Sequence, residues 1–402
     1  MNPTALLDGV RVLDLTNVLA GPFASYQLAL LGADVIKVEI PGAGDLARRL
    51  GADHALNEAG TGASFLAQNS AKRSLTLNLK SAAGRDVLLR AVEGADVLVE
   101  NFRPGVLDRL GLGWDRLRAA NPRLVYCAVS GFGQDGPLRD RPAYDQIVQG
   151  VSGMMSATGT EQTGPLRAGY PVADTLGGMT AAFAVASALV HRDRTGEGVR
   201  LDVSMLESAM TAMGWVVSNH LIAGQDPVPM GNDNFTAAPS GTFATGDGML
   251  NISANEQRQF VTLCRLLGRP DLCDDPRFAE RSARKVHRRE LTAQIEAALA
   301  GRPAAEWETV LAAAGVPAAR VLSVPEALAQ DQVRARGFVH DLPFPGDPDR
   351  DLRVLGSPVH VDGAAPVPAH EPPLLGEHTD TILRELGYDD AAIATMHEEG
   401  TV

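Results

Sequence analysis

Asp174 combines a reactive side chain with a position at the start of a helical segment. It follows residues 169–173 (GYPVA) and precedes Gly177 and Gly178, where an apolar stretch begins. A carboxylate there is typical of a structural N-cap, which accepts hydrogen bonds from free backbone N–H groups. The same helix terminus would favour an ionised carboxylate, and the two glycines would let a bulky reactant approach. Asp174 is therefore either a cap or a nucleophile that forms covalent intermediates.

Basic residues gather in loops and turns at the ends of expected strands. The group comprises Lys72, Arg73, Lys80, Arg103, Arg109, Arg139 and Arg141. Open α/β sheets bind ligands at the carboxyl ends of their strands, and a polyphosphate would need several cations and backbone donors. These residues indicate either a polyphosphate site or an ordinary solvated surface.

Three other patterns do not predict chemistry. Residues 131–136 (GFGQDG) match the spacing of a dinucleotide-binding loop, but Pro137 and a charged stretch follow where a helix should begin, so we expect a glycine-rich turn. The nine histidines are scattered, and none pairs with another at ligand spacing on one helical face, so no metal site is expected. The chain has no G-x-S-x-G motif, which argues against a serine hydrolase.

The elements that must position these residues alternate along the first 200 residues. Helical segments are expected at 23–31, 81–93, 174–192 and 205–223. Short apolar strands are expected at 10–15, 34–39, 74–79, 96–99, 124–129 and 199–203. Such alternation predicts βαβ units and a mostly parallel sheet.

The predicted fold class is α/β, with two domains. A Rossmann-like large domain with a parallel sheet spans 1–200 and is completed by 374–402, and a smaller α+β domain spans 225–330. Residues 201–224 are expected to form a linker helix. Residues 331–373, which are rich in Pro, Gly and Asp, are expected to form an extended linker. A last amphipathic helix at about 379–386 should pack on the large domain.

Composition narrows the class of protein. The chain has 402 residues, 45% of them hydrophobic, so it can bury a large core. The net charge of −13 argues against a nucleic-acid or membrane-surface partner. Three cysteines at irregular spacing do not predict a disulfide framework. We find neither a signal-peptide pattern nor a run of about 18 apolar residues that would span a membrane, and we expect a cytoplasmic protein.

Several motifs together resemble the family III CoA-transferases, the CaiB/BaiF group, over essentially the whole chain. Their order and spacing are more specific than any one of them. The motifs are 11–16 (RVLDLT), 19–22 (LAGP), 32–39 (GADVIKVE), 41–45 (PGAGD), 72–74 (KRS), 99–105 (VENFRPG), 130–133 (SGFG), 275–278 (DPRF) and 375–379 (LGEHT).

The resemblance implies that Asp174 is the catalytic nucleophile. It would attack an acyl-CoA thioester to give an aspartyl anhydride, which the released CoA thiolate converts into an aspartyl-CoA thioester. An acceptor carboxylate would then reverse these steps. Water must be kept out, because both intermediates would hydrolyse.

The resemblance also implies the ligand contacts and the assembly. No tightly bound cofactor and no metal are expected, because coenzyme A and its acyl esters are substrates. The fold would be an interlocked, ring-like homodimer. The implied CoA contacts are Val18, Leu77, Asn78, Leu79, Lys80, Asn101, Phe102, Arg103, Arg109, Tyr144 and Asp145.

Three positions depart from relatives within this resemblance. Ile40 replaces an Arg that often follows the Glu39 position, which removes one cationic contact to CoA. The loop after Gly231-Asn232 lacks the glycine run of formyl-CoA transferase, which argues against a formyl or oxalate enzyme. Tyr144 stands where α-methylacyl-CoA racemases carry a His. A racemase or epimerase, which needs a base on each face of the α-carbon, is therefore the less favoured alternative.

The substrate prediction follows the succinyl-CoA-dependent branch. Residues 165–174 and the Gly44-Asp45 pair followed by Arg48 resemble succinyl-CoA:dicarboxylate transferases. Arg48 could hold the remote carboxylate of a C4–C6 diacid bidentately, or it could be an ordinary surface Arg. Arg167 and the lid residues Asn234 and Phe235 complete the predicted substrate contacts.

Overall fold

A computed structural model describes residues 4–402 of the chain, which divide into two compact units. The large unit comprises the chain up to Met154, Arg167–Gln225 and Asp331–Val402. The small unit comprises Met155–Leu166 and Asp226–Gln330.

The strands of the described chain follow in sequence order. They are β1 (Arg11–Leu15), β2 (Asp34–Glu39), β3 (Lys72–Thr76), β4 (Val97–Glu100), β5 (Val125–Ser130), β6 (Arg200–Ser204), β7 (Ser240–Ala244), β8 (Met249–Ser253), β9 (Ala318–Arg320), β10 (Val339–Phe344) and β11 (Asp347–Leu355).

The helices are also numbered in sequence order. They are α1 (Ala20–Leu30), α2 (His54–Glu58), α3 (Ala63–Leu66), α4 (Ala82–Glu93), α5 (Val106–Arg109), α6 (Trp114–Ala120), α7 (Asp145–Val151), α8 (Val172–Thr195), α9 (Met205–Ala212), α10 (Trp215–Ala223), α11 (Gln257–Leu266), α12 (Arg281–Val286), α13 (Arg288–Leu299), α14 (Ala304–Ala313), α15 (Val324–Leu328), α16 (Asp331–Ala335), α17 (Thr379–Glu385) and α18 (Asp390–Glu398). Short 3-10 helices lie at Leu46–Arg49, Met155–Ala157 and Pro270–Cys273.

A six-stranded parallel sheet organises the large unit, in the order β3-β2-β1-β4-β5-β6. Strand residues alternate between two cores: Val12 packs on one face and Leu13 on the other. The first face is covered by α1 and α8, and the second by α4, α6 and the C-terminal helices α17 and α18. Burial on both faces is what parallel sheets require, and the strand order reverses between β1 and β4, a switch point where such sheets bind ligands.

The small unit has its own sheet and core. Strands β7, β8 and β9 form an antiparallel sheet, and α11, α13 and α14 cover it with Phe260, Ile295 and Trp307 in its core. The mixed α/β class with a large parallel sheet and a smaller α+β unit is thereby confirmed.

The segments around the small unit differ from the sequence prediction. Residues 201–224 form β6, α9 and α10 within the large unit, and the helix expected over 205–223 breaks at Gly214, which has φ +44°. The expected extended linker at 331–373 contains the antiparallel β10–β11 hairpin. A further helix, α18, follows α17, because Gly387 (φ +85°) reverses the chain between them.

Helix α8 is long and apolar enough to cross a membrane by length and composition alone. The sequence analysis did not anticipate this, since the charged residues of the helix lie near its two ends. In the large unit α8 packs against α1, α9 and β5, as core helices of globular proteins do.

Candidate active site

Asp174 lies in the first turn of α8, at the carboxyl edge of the parallel sheet. Helix α8 ends only a few residues before β6 begins, so its N-terminus must lie at the opposite edge, where the strands end. The Asp174 carboxylate is half-buried and accepts no hydrogen bond from residues 4–402. Burial, and then the nearby Asp145 charge, raise the pKa of Asp174 to about 7.

The N-terminus of α8 is capped from another helix. Oδ1 of Asp145, at the start of α7, accepts hydrogen bonds from the backbone N–H of Ala173 at 2.8 Å and of Asp174 at 3.3 Å. Asp174 itself is therefore not the cap. The predicted contact between Asp145 and CoA stays a prediction; the Asp145 side chain itself is buried, and its oxygens accept hydrogen bonds inside the protein.

Gln149 connects this cap to the segment that leads into α8. Its Nε2 donates to Oδ2 of Asp145 at 2.6 Å and to the carbonyl of Tyr170 at 3.3 Å. Its Oε1 accepts from the N–H of Ala168 at 2.8 Å. The fully buried Gln149 thus fixes both the capping carboxylate and the backbone that precedes Asp174. Sequence analysis missed it, since its only sequence signal was an amide one helical turn after Asp145.

The glycines after Asp174 serve helix packing. A Cβ on Gly178 would lie 2.5 Å from the carbonyl oxygen of Ala20, and a Cβ on Gly177 would lie 2.9 Å from Cγ of Met205. The interpretation that they admit a bulky reactant is corrected: they let α8 approach α1 and α9.

Val18 and Asn101, two predicted CoA contacts, lie at the switch point of the sheet. Asn101 Nδ2 donates to the carbonyl of Asn17, and Asn101 Oδ1 accepts from the Asn17 N–H, both at 2.8 Å. Val18 has a left-handed backbone (φ +68°), and its N–H donates to Oδ1 of Asp45 at 2.9 Å. The structure therefore brings the loops after β1 and β4 together.

A buried ionic network that the sequence analysis missed supports this loop. Lys37 Nζ lies 2.9 Å from both Oδ2 of Asp45 and the carbonyl of Thr16. Lys72 Nζ lies 3.0 Å from Oδ2 of Asp14, which also receives a hydrogen bond from Ser25. Charged residues inside apolar strands were the available sequence signal, because such residues are rarely buried unless they are paired.

Arg48 is not available to a substrate carboxylate, which corrects the prediction. Its Nε and Nη2 each lie 2.7 Å from a different oxygen of Glu39. Its guanidinium also donates to the carbonyl of Pro373 and stacks 3.7 Å from the centre of the Phe65 ring. The side chain is only 3% exposed. Arg167 is exposed, and within residues 4–402 its side chain donates a hydrogen bond only to the neighbouring carbonyl of Ala168.

The predicted CoA contacts in the segment after β3 differ in how exposed they are. Leu77 is buried in the core and its N–H donates to the carbonyl of Glu39, and its predicted contact with CoA stays a prediction. Asn78 donates its N–H to the carbonyl of Thr401 and accepts the N–H of Lys80 at Oδ1. Leu79 is half-buried and Lys80 is exposed.

Three further predicted CoA contacts line two different cavities of the large unit. Lys80 and Arg109 line one groove of the large unit. Arg103 lines a small cavity with Glu100 and Tyr126. Phe102 is half-buried.

Tyr144, Asn234 and Phe235 are the remaining predicted contacts. Tyr144 is 69% exposed and precedes α7. Asn234 and Phe235 belong to the small unit. Asn234 Oδ1 accepts from the N–H and hydroxyl of Thr236, and its carbonyl accepts from Arg288.

Within residues 4–402, no group of three or more His, Cys, Asp or Glu side chains could hold a metal ion. The three cysteines are free thiols.

The fold, a large parallel sheet with a separate small unit, agrees with the comparison with known families. The sequence model of CoA-transferase family III matches residues 7–379. The chain belongs to this family. The resemblance stated from the motifs is thereby confirmed, and the chain is a CoA-transferase by family, whose members use CoA thioesters as substrates.

Named relatives and a solved structure extend the comparison. The succinyl-CoA:glutarate CoA-transferase of Mus musculus is 36% identical over 98% of this chain and 90% of its own length. The acetyl-CoA:oxalate CoA-transferase of Acetobacter aceti is 41% identical over 86% of this chain and 89% of its own length. The crystal structure of a CAIB/BAIF family protein from Brucella suis matches with a TM-score of 0.84 and 36% identity, over 95% of this chain and all of that one.

Proposed function

We propose that this CoA-transferase moves CoA from an acyl-CoA donor to a dicarboxylic acid acceptor, and that succinyl-CoA is the preferred donor. The observation that carries the proposal is the Asp174 carboxylate, which is held at a capped helix start and has no hydrogen-bond partner within the described chain. A carboxylate whose lone pairs are not engaged is free to act as a nucleophile.

The chemistry proceeds through two covalent states of Asp174. A carboxylate oxygen attacks the donor thioester carbonyl, the C–S bond breaks, and the CoA thiolate leaves behind a mixed anhydride. The thiolate attacks Cγ of Asp174 and expels the donor acid as its carboxylate. The acceptor carboxylate then attacks Cγ of the Asp174–CoA thioester, expels the CoA thiolate and forms a second mixed anhydride. The thiolate attacks the acceptor carbonyl of this anhydride, which gives the acceptor CoA thioester and frees the Asp174 carboxylate. No net proton or electron is consumed.

The geometry supports this role for Asp174 in two ways. Asp145 and Gln149 fix the backbone on each side of the nucleophile, which reduces the entropy lost on reaching the attacking geometry. The raised pKa of Asp174, about 7, makes the carboxylate more nucleophilic than an ordinary exposed one while leaving it largely ionised just above neutral pH.

The acceptor class rests on chemistry shared by the relatives. Glutarate and oxalate, the acceptors named for the two relatives, are both dicarboxylates. Arg167 is the exposed cation nearest Asp174 in sequence that forms no ion pair within the described part of the chain, and we assign it to the remote carboxylate of the acceptor. Because one relative is an oxalate enzyme, the acceptor panel must extend below the C4–C6 diacids.

Mass spectrometry tests the mechanism directly. The full chain is incubated with succinyl-CoA alone, quenched, and digested, and we expect Asp174 peptides that carry CoA or succinyl. Asp174→Asn should fold and lose transfer by about a thousandfold or more, as removal of a nucleophile does. Wild-type-like turnover by Asp174→Asn would refute the nucleophile assignment.

The racemase alternative predicts a different product. A chiral 2-methylacyl-CoA in deuterated buffer, without acceptor acid, should keep its α-hydrogen if the chain is a transferase. Rapid α-deuteration would instead establish racemisation. The acceptor panel pairs succinyl-CoA with oxalate and C4–C6 diacids, with acetate as the monocarboxylate control.

We also propose that the chain acts as an interlocked homodimer. Helices α8 and α10 expose large apolar side chains: Phe183 is 75% exposed, Trp215 71% and Ile222 85%. Exposed apolar side chains of this size are typical of an interface, and a second copy is the occupant that the family resemblance implies. Light scattering should give twice the chain mass of 42.4 kDa. Tagged and untagged dimers should not exchange subunits on mixing, and ready exchange would exclude interlocking.

A further inference from the structure

Glu100, the last residue of β4, is a buried acid that the proposed chemistry does not use. Its side chain is 4% exposed. Oε1 accepts a hydrogen bond from the hydroxyl of Tyr126, on β5, at 2.8 Å, and Oε2 accepts one from the backbone N–H of Phe102 at 2.7 Å. One carboxylate therefore joins the neighbouring strand to the loop that follows its own strand.

The loop after β4 is also joined to the loop after β1, directly beside this carboxylate. Asn101 follows Glu100, and its side-chain amide forms two hydrogen bonds of 2.8 Å with the backbone of Asn17. Phe102 comes next, and its N–H is held by Glu100. Two consecutive residues are thus fixed at the switch point, where parallel sheets bind ligands.

The surroundings of Glu100 exclude direct contact with a substrate. Glu100 lines an internal cavity of about 20 Å³, which has room for about one water molecule and for no group of a CoA ester. Glu100 can therefore act on a substrate only through the loop that it holds. The other charged or titratable side chains around it are Arg103, Asp108, Tyr126, Cys127 and Arg200.

Protonation of Glu100 changes what its carboxyl group can bind. Burial raises the pKa of Glu100 to about 7, although the hydrogen bonds from Tyr126 and Phe102 and the charge of Arg200 lower it. The charge of Asp108 raises it slightly further. The ionised group accepts at both oxygens, whereas the neutral acid carries an O–H donor on one of them. Hydrogen bonds to an ionised acceptor are also about twice as strong as neutral ones.

We propose that Glu100 is a positioning residue, whose ionised carboxylate holds the loop after β4 in the arrangement that binds the CoA ester. Protonation or removal of the carboxylate releases Phe102 and weakens ester binding, while the reacting atoms are untouched. The inference rests on the proposed function, in that Asn101 and Phe102 must contact an acyl-CoA substrate.

Ester binding tests the role in a protein that lacks the nucleophile. Asp174→Asn removes the titration of Asp174, and calorimetry with succinyl-CoA is carried out on this variant with and without Glu100→Gln. At about pH 8.5 Glu100→Gln should weaken binding about tenfold, since one charged hydrogen bond is worth about that factor. At about pH 5.5, where Glu100 is protonated, the two proteins should bind equally. Comparing the two proteins cancels the titration of the phosphates of the ester.

Glu93→Gln is the matched control for this substitution. Glu93 is an exposed acid at the end of α4 and does not line the cavity. It should leave ester binding unchanged at both pH values. In steady-state transfer at about pH 8.5, Glu100→Gln should raise the KM of succinyl-CoA about tenfold and leave kcat within about twofold.

Trp114 provides a readout that needs no substrate. The centres of the Trp114 and Tyr126 rings are 5.8 Å apart, and both side chains line the cavity of Glu100. Tryptophan fluorescence should therefore change with a midpoint near pH 7, and Glu100→Gln and Trp114→Phe should each abolish this transition. Tyr126→Phe keeps the ring but removes a hydroxyl that lowers the pKa of Glu100, so it should move the midpoint to higher pH.

The outcomes separate the positioning role from the proposed function. The expected ester binding and fluorescence, without transfer to any acceptor, would refute only the proposed function. Normal transfer with the same KM in Glu100→Gln and the wild-type enzyme would refute only the positioning role. A fluorescence transition that survives Glu100→Gln, or a midpoint that Tyr126→Phe does not move, would also overturn it.

Discussion

Oδ1 of Asp145 accepts a hydrogen bond from the backbone N–H of Asp174 at 3.3 Å, so the group that orients the proposed nucleophile also lies beside it. The bond fixes the start of α8, while the negative charge of Asp145 adds to burial in raising the pKa of Asp174 to about 7. Asp145 therefore positions the proposed nucleophile and, after burial, also contributes to its raised pKa.

The pH dependence of transfer should report this relationship. Only the ionised Asp174 can attack, and its pKa is raised to about 7, so the single-turnover rate should rise with pH and level off above about pH 8. Asp145→Asn keeps an oxygen acceptor for the backbone but removes the charge. It should move the midpoint to lower pH.

Asp135→Asn is the control for this measurement, because Asp135 is an exposed acid outside the site. It should leave the midpoint in place. An unchanged midpoint in Asp145→Asn would show that the Asp145 charge does not influence the nucleophile.

The stability of the folded protein should fall as pH rises, whereas the transfer rate should increase. The pKa of Asp174 is raised from 3.8 in the unfolded chain to about 7 in the folded one, so the folded state binds the proton more tightly and loses stability as pH rises between these values. Asp174→Asn lacks this group, and its Tm should exceed that of the wild-type protein by about 2–4 °C at pH 8. At pH 4 the two Tm values should converge. A variant that is less stable at pH 8 would show that the ionised carboxylate has a stabilising partner.

Much of the fold was predictable from local pattern. The strands expected at 34–39 and 199–203 and the helix expected at 81–93 follow from apolar periodicity, and the structure has these elements at Asp34–Glu39, Arg200–Ser204 and Ala82–Glu93. The helix break at Gly214 and the β10–β11 hairpin were not predictable in this way, because a left-handed glycine and a pair of polar strands leave no periodic signal in the sequence.

The candidate site was only partly predictable. Motif order identified Asp174, whereas the partner of a charged side chain depends on tertiary contacts. Arg48 pairs with Glu39 and Asp145 caps α8, both across the folded chain. The family resemblance assigned both residues to ligands, because the sequence could not show that their polar atoms were already occupied.

The two glycines after Asp174 should differ in their tolerance of a methyl group. Gly178→Ala places Cβ 2.5 Å from the backbone oxygen of Ala20, which cannot move alone, whereas Gly177→Ala meets the flexible side chain of Met205 at 2.9 Å. We expect Gly178→Ala to destabilise the protein by about 1–3 kcal/mol and to displace Asp174, with loss of transfer.

Gly177→Ala is the matched comparison. Its cost should be offset in part by the better helix propensity of Ala, about 1 kcal/mol. Chemical denaturation and transfer assays measure both variants. Equal destabilisation of the two would show that the contact between α8 and α1 is no tighter than that between α8 and α9.

Gln149 should control the chemical step without contacting the substrates. Gln149→Leu preserves volume but removes the bonds to Asp145, Ala168 and Tyr170. The backbone around Asp174 then loses its fixed geometry, and we expect kcat to fall about 10- to 100-fold while the KM of the CoA ester changes less than twofold. Gln332→Leu, on exposed α16, should change neither parameter.

If Gln149 had only a structural role, Gln149→Leu would lower the stability of the protein and the fraction of molecules that are active. The fraction of Asp174 that succinyl-CoA can acylate must therefore be measured together with kcat. If Gln149 positions the nucleophile, every folded molecule should still become labelled, only more slowly. Gln149→Glu gives a second readout. It retains an acceptor for Ala168 but places a further carboxylate beside Asp145, and it should move the pH midpoint upward. A smaller labelled fraction with an unchanged rate constant would assign Gln149 to folding rather than to positioning.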